Sequence, residues 1–322
     1  MPVAVPRLPE LTAELLGPAG GALGAAGAGS DDDLVRESWS VRARRSALAT
    51  LTTAAACRRP GSPLGSAAGA VSVVLPSKRA HRVGPALEQL RRQTWPDVEV
   101  VLALHGVARD HPDVAPALAA AERDGLPLTV LEEPAERVFG DVLSAALARC
   151  SGRWVAKVDD DDWYGPDHLT DLVQATWHAA AGVVGVADHF TYLAVPGTTV
   201  RTADVGTERH VPRLAGGTLL LARDDLLALG GWAALPTAED RALLAAVTAA
   251  GGRLYSVHDL GFCLYRGGDD HTWQVEDERF LARAALRWRG FRPPDQAAVP
   301  GVAAARALDA EPGSAPGGVS AG

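Results

Sequence analysis

Between residues 71 and 158, four short apolar runs are separated by three segments with helical periodicity, and few folds accept such a chain. Val71-Ser72-Val73-Val74-Leu75 ends at Pro76, and Val98–Leu104, Leu128–Leu131 and Trp154–Val158 follow. Runs this short and this continuously apolar are strands buried on both faces. The intervening segments carry Leu87 and Leu90, then residues 114–123, then residues 139–150. Strands alternating with helices predict an α/β fold, a Rossmann-like, mostly parallel sheet covered by helices. Ligands of such sheets bind beyond the carboxyl ends of the strands. After residue 183 the pattern is mixed. Short strands are expected around 183–195, 217–222, 253–257 and 261–265, and helices near 223–229 and 239–250.

The chain has 322 residues, 47% of them hydrophobic, enough for one large core. Residues 1–65 read as a mobile or partly helical extension. Residues 1–30 are rich in Pro, Ala and Gly, Asp31 to Asp33 precede a helical pattern through Leu34, Trp39 and Leu48, and breakers fill 59–66. The domain proper is expected at 66–292, split into halves 66–162 and 163–292, with a disordered tail at 293–322. The formal charge, 31 − 39 = −8, argues against a nucleic-acid partner. Cys57, Cys150 and Cys263 are odd in number and far apart, which predicts neither a disulfide framework nor a cysteine metal site. No signal-peptide pattern or run of about 20 apolar residues is present. A cytoplasmic protein without a membrane span is the expectation.

The strongest chemical signal is Asp159-Asp160-Asp161-Asp162, directly after the fourth strand. Adjacent carboxylates repel, so such a run needs either full solvation or a cation. Mg2+ or Mn2+ suits oxygen ligands and keeps positions open for phosphate. In an extended segment Asp159 and Asp161 would share a side. A solvated turn that caps the next helix is the bland alternative, with Pro166 in its favour. A calcium EF-hand fits poorly, since the run lacks glycine at its sixth place and glutamate at its twelfth. Glu239-Asp240 opens a helix after Pro236-Thr237; it offers a general base, or simply acids at a helix start. His271, within Asp269-Asp270-His271-Thr272-Trp273, offers a metal ligand or a solvated loop residue. Gly216-Gly217 allows close backbone approach, and Trp232 offers a flat apolar face for a sugar or acceptor, or a core aromatic.

In this order, Val71–Pro76, Lys157-Val158-Asp159-Asp160-Asp161-Asp162-Trp163, Gly216-Gly217 and Glu239-Asp240 resemble the family 2 glycosyltransferases of GT-A fold, in particular bacterial non-processive members. The resemblance spans about residues 70–290. It implies that Pro76, Ser77 and Arg79 line the nucleotide pocket with Asp159 and Asp160. Asp161 would ligate a divalent metal, Mn2+ or Mg2+, with His271 near it or the diphosphate. Asp240 would be the general base beside Glu239, and Gly217 and Trp232 would border the acceptor. It further implies an inverting transfer from a nucleotide-diphosphate sugar to a hydroxyl of a carbohydrate or other acceptor. The chain departs from the pattern at the end of the second strand, where Leu104-His105-Gly106 stands instead of an acid, and it lacks the Gln-x-x-Arg-Trp signature of processive synthases.

Three rivals stay open at this level. A nucleotidyltransferase also uses carboxylate-bound metal, but Pro76-Ser77-Lys78-Arg79 lacks a glycine-rich phosphate loop. A non-catalytic nucleotide- or sugar-binding protein would need neither the Asp run nor the Glu-Asp pair. A glycosidase would use paired carboxylates without a nucleotide.

Overall fold

The computed structural model describes residues 33–53, 69–187, 190–202, 207–267, 277–297 and 305–306. The expectations for residues 1–32, for the 59–66 breaker segment, for His271 and for residues 298–304 and 307–322 lie outside the described residues.

Helix α1 (Asp33–Thr53) comes first, followed by β1 (Val71–Ser77), α2 (Ala80–Arg91), β2 (Val98–His105), α3 (Ala115–Arg123), β3 (Leu128–Glu133), α4 (Phe139–Leu147) and β4 (Trp154–Lys157). The alternation expected from the sequence is therefore present, and β3, β2, β1 and β4 lie side by side in parallel. Then come β5 (Trp163–Tyr164), α5 (His168–Thr176), β6 (Val183–Gly185), β7 (Phe190–Leu193), β8 (Thr198–Thr202) and β9 (Arg209–His210). A single tight turn at Gly216–Thr218 leads into β10 (Leu220–Ala222), α6 (Arg223–Ala228), α7 (Glu239–Ala249), β11 (Leu254–Ser256), β12 (Phe262–Arg266), α8 (Asp277–Ala282) and β13 (Ala284–Arg289). The main sheet runs β3-β2-β1-β4-β10-β6-β11-β9, with β10 antiparallel to β4; β13, β8, β7, β12 and β5 belong to a second, smaller sheet. This is the α/β fold with a mixed second half.

Side chains alternate across the strands, and that alternation divides the core. Val71, Val73 and Leu75 point to one face, where they meet Val83, Leu87 and Leu90 of α2 and Leu169 and Leu172 of α5. Val74 points to the other face, with Leu143 and Leu147 of α4, Leu226 of α6 and Leu243 of α7. The sheet is thus sandwiched by helices, which is why its strands read as unbroken apolar runs.

Helix α1 is not set apart from the domain. The Arg45 guanidinium donates to both oxygens of Asp171 on α5, at 2.8 and 2.8 Å, and Leu34 is buried with Phe190, Cys263 and Trp288. The helical pattern read through Leu34, Trp39 and Leu48 corresponds to this helix, which long-range ion pairs and the burial of Leu34 hold against the rest of the chain. The short strands expected around 183–195 are β6 and β7, and only the latter part of 217–222 is extended.

Candidate active site

Strand order reverses between β1 and β4, and the two strands part company there. β1 pairs with β2 along its whole length, but with β4 only from Val71↔Trp154 to Val74↔Lys157. Val158 N donates to Val74 O at 3.1 Å, so Pro76, two residues on, directs its backbone to the same side, past the end of β4. A residue without an N–H is tolerated at such an open edge. The Asp run leaves β4 into this crevice.

Residues 160 and 161 form a turn, so the side chains do not alternate as in an extended segment. Each carboxylate finds a separate environment. Asp160 accepts from Ser77 Oγ at 2.6 Å and from Arg79. Asp161 pairs with the same guanidinium at 2.9 Å and keeps 15% of its side chain exposed. Asp162 turns inward and accepts from the Tyr265 backbone N–H at 2.9 Å. Asp159 accepts from Lys157 Nζ at 2.8 Å. The expectation that Asp159 and Asp161 share a side is therefore corrected: Asp161 goes with Asp160 to Arg79, and Asp159 goes to Lys157.

Lys157 connects the Asp run to the later acidic pair. Its ammonium, 2% exposed, also donates to Asp240 Oδ2 at 2.8 Å. Asp240 Oδ1 accepts from the Trp232 indole N–H at 3.1 Å, so both oxygens of this carboxylate are oriented. Trp232 itself is buried in the core, and its ring is not an open face for an acceptor. Glu239 is buried beside Asp240 in the first turn of α7. The backbone makes close approaches here. A Cβ on Gly216 would collide with Asp240 Oδ2, and one on Gly217 would lie 2.8 Å from both Asp159 Oδ2 and Tyr164 Oη. The Tyr164 hydroxyl donates to Gly217 O at 2.8 Å and accepts from Asp159 N at 2.9 Å, locking the turn to the Asp run.

Carboxylates crowd the end of this crevice at the Asp run, and their proton affinities register it. Burial, then the neighbouring Asp161 and Asp159, hold the Asp162 carboxyl well above its ordinary value. Burial also raises Asp159, with Asp240 and Asp161 adding to it against the opposing pull of Lys157. Burial and Asp240 push Glu239 up to about 7. Lys157 is held protonated by Asp159 and Asp240 although burial opposes it.

A cavity of about 420 Å³ opens on this crevice, and Asp159, Asp162, Gly216, Gly217 and Asp240 line it. Pro76, Ser77, Arg79, Asp160 and Asp161 lie around the Arg79 cluster rather than on the cavity wall, and neither Trp232 nor Glu239 reaches it. Among the described residues no three His, Cys, Asp or Glu side chains converge on one point. Sequence reasoning passed over Lys157, whose signal was a lysine inside an apolar strand two residues before Asp159. It also passed over Tyr164, for which no signal existed.

The chain's likeness to known proteins concentrates on this region. Residues 72–215 match the model of the family described as glycosyl transferase family 2. Succinoglycan biosynthesis protein ExoO of Rhizobium meliloti (strain 1021) is 27% identical over 269 residues, covering 68% of this chain and 73% of ExoO. The putative glycosyltransferase EpsH of Bacillus subtilis (strain 168) is 27% identical over 88 residues, 27% of this chain and 24% of EpsH. Among solved structures, the mannosyltransferase PcManGT from Pyrobaculum calidifontis, in complex with GDP-Man and Mn2+, is similar with a TM-score of 0.52 at 20% identity, over 67% of this chain and 62% of that one. S. aureus TarS 1-349 in complex with UDP-GlcNAc is similar with a TM-score of 0.50 at 17% identity, over 66% of this chain and 64% of that one. The chain thus spans less than two thirds of either structural neighbour. Among the described residues no helix is long and apolar enough to cross a membrane. The parallel strands and the crevice where their order reverses are those of the GT-A fold, and within that fold residues 72–215 match the glycosyl transferase family 2 model.

Proposed function

We propose that the chain is an inverting, non-processive glycosyltransferase that moves a sugar from a nucleotide-diphosphate sugar to an acceptor hydroxyl, with Asp240 as its general base. The observation that carries this reading is the Asp240 carboxylate itself. It is held through both oxygens, by Trp232 and Lys157, on the wall of a cavity that it shares with Asp159 of the Asp run. An oriented carboxylate beside a ligand-sized cavity has what a general base requires. In the proposed reaction Asp240 takes the acceptor proton as the acceptor oxygen bonds to the anomeric carbon. The bond from that carbon to the diphosphate oxygen breaks on the opposite face, and its electron pair leaves with the nucleoside diphosphate. One displacement from opposite faces inverts the anomeric centre.

The residues fit a divalent ion of the kind the PcManGT structure contains. Burial raises both Asp159 and Asp162, with Asp240 and Asp161 adding to the first and Asp161 and Asp159 to the second, so an added cation beside the Asp run would relieve them. Mg2+ and Mn2+ use one or two protein carboxylates and take further oxygens from substrate phosphates, which accommodates a site without three converging side chains. We assign Asp161 as the carboxylate for that ion, with His271 as a further candidate ligand. When bound, the ion would offset charge on the departing diphosphate. In this reading Ser77 and Asp160 fix Arg79 at the open end of β1 beside Pro76, and residues 66–162 serve the donor while 163–292 serve the acceptor. Glu239, neutral up to about 7, spares Asp240 a second adjacent negative charge.

Calorimetry on the full chain with UDP and GDP, with and without Mn2+ or Mg2+, tests the donor half. Binding that requires the ion is expected, and metal-independent binding would overturn the assignment. Asp240→Asn tests the base: transfer should fall by about 10²- to 10⁴-fold while nucleoside diphosphate affinity and thermal stability hold. Normal turnover by that variant would remove Asp240 from the mechanism.

A further inference from the structure

The cavity that holds Asp240 is acidic at one end and basic elsewhere. Arg213, Arg241, Arg279 and Arg283 also line it. They come from three places in the chain: the segment before Gly216, the residue after Asp240, and α8 with the residue that follows it. Their convergence stands out in a chain of net charge −8.

Elsewhere in the molecule the engaged arginines are neutralised in pairs. Arg45 serves Asp167 and Asp171, Arg79 serves Asp160 and Asp161, and Arg201 serves Glu37 and Asp259. None of the four cavity guanidiniums has a carboxylate partner among the described residues. The cavity's own acids do not need them, because Lys157 already joins Asp159 to Asp240 and Asp162 accepts from Tyr265. Four like charges brought to one cavity repel until an anion arrives. Guanidinium is the side chain best matched to phosphate and carboxylate, through paired N–H donors.

We infer that the acceptor is anionic, a phosphate- or carboxylate-bearing molecule whose charged group rests on Arg213, Arg241, Arg279 and Arg283 while its hydroxyl meets Asp240. The inference rests on the transferase reading and names its acceptor class. The donor is the other anion the site must hold, and the lining decides between the two. Of the residues assigned to the nucleotide and its ion, only Asp159 reaches this wall; Pro76, Ser77, Arg79, Asp160 and Asp161 are absent from it, whereas the base is on it with all four arginines. Leu244, Leu264 and Phe280 add an apolar stretch between the arginines, suited to a stem that carries the charge.

Three probes of one shape separate the possibilities: phenyl β-glucoside, its 6-phosphate, and phenyl β-glucuronide. Each is titrated into the full chain with UDP or GDP and Mn2+ present. A charged probe should bind at least about tenfold more tightly than the neutral one, and the advantage should shrink as NaCl rises from about 0.05 to 0.5 M. Whichever charged probe binds better identifies the group as phosphate or carboxylate. The exposed pair Arg279→Gln/Arg283→Gln should erase the advantage and leave nucleoside diphosphate affinity unchanged. Equal affinity for charged and neutral probes would overturn the inference. So would a double variant that weakens the nucleotide and leaves the probe preference intact, since the arginines would then serve the donor. In both cases metal-dependent nucleotide binding by the unaltered chain would still support the transferase reading, and its absence would sink that reading separately.

Discussion

Arg45 and Lys157 perform the same electrostatic task in two regions, each holding two carboxylates at 2.8 Å. In the scaffold, Arg45 on α1 binds Asp167 and Asp171, and His258 Nε2 lies 3.1 Å from Asp171. Burial opposes ionisation of Asp171, but His258 and Arg45 outweigh it and hold this carboxyl below the usual range. At the site, Lys157 faces Asp159 and Asp240 with Asp161 and Asp162 close behind, and the balance reverses: Asp159 and Asp162 are raised, and Glu239 reaches about 7. The scaffold cluster is electrostatically complete and ties helices together. The site cluster keeps carboxylates that Lys157 alone does not offset, in keeping with the cation and the proton transfer proposed for it.

Removing the cation from each cluster gives the largest expected contrast. Lys157→Met removes the shared cation from two partly exposed carboxylates and should cost about 2–4 kcal/mol in urea unfolding. It should also lower transfer about 100-fold, because Asp240 loses one of its two orienting bonds. Arg45→Met, at a partly exposed position, should destabilise by roughly 1–3 kcal/mol and leave turnover per folded molecule unchanged. Equal losses of activity in the two variants would erase the distinction between scaffold and site. Full activity in Lys157→Met would show that Asp240 is held by other means.

Acidity should separate the regions by sign. His168 is buried between Tyr164 and Phe262, and burial lowers its pKa to about 4. The unfolded chain takes up that proton first, so the stability His168 supports is complete above its ordinary value of 6.5 and is lost as pH falls towards 4, a change of about 3 kcal/mol. Glu239 works in the opposite direction. Its neutral form is favoured in the fold, so its contribution is present below its ordinary value of 4.5 and is lost as pH rises through about 7. Urea midpoints measured from pH 4 to 8 should show His168→Met flattening the acid limb and Glu239→Gln flattening the limb near neutrality. An unchanged acid limb in His168→Met would mean that His168 is charged in the folded chain.

Much of this architecture was legible before any coordinates. The runs at 71–75, 98–104, 128–131 and 154–158 were readable because a parallel sheet covered on both faces demands continuous apolar strands. Asp159, Asp240 and Gly217 were picked out by residue type and order, and all three line the cavity. Short pieces of the second half escaped, such as β5 and β9, two residues each, because such segments carry no periodicity. The Asp run was read as extended because a sequence does not reveal that residues 160 and 161 turn. Trp232 was read as a contact surface because burial is a tertiary property. Lys157 was hidden by its apolar neighbours, and the four cavity arginines by their distance along the chain.

Two glycines carry the comparison down to a single methyl group. Gly84 lies inside α2, and a Cβ there would meet only Ala117 Cβ, at 3.6 Å, an ordinary contact. Gly84→Ala should change stability by less than about 1 kcal/mol, because the gain in helix propensity is offset by the crowding of the new Cβ against the following Pro85. At Gly217 the same methyl would lie 2.8 Å from Asp159 Oδ2 and from Tyr164 Oη. The tyrosine cannot yield cheaply, because its hydroxyl bonds both Gly217 O and Asp159 N. Asp159, with 30% of its side chain exposed, must yield instead, and in doing so it leaves Lys157. Gly217→Ala should cost about 1–3 kcal/mol as an overpacking substitution. Its sharper signature is functional: a nucleoside diphosphate should bind about tenfold more weakly, the equivalent of about 1.4 kcal/mol, because the displaced carboxylate is the one proposed to meet the nucleotide. Wild-type affinity in Gly217→Ala, with the stability loss present, would remove Asp159 from the donor site and leave it as Lys157's partner alone.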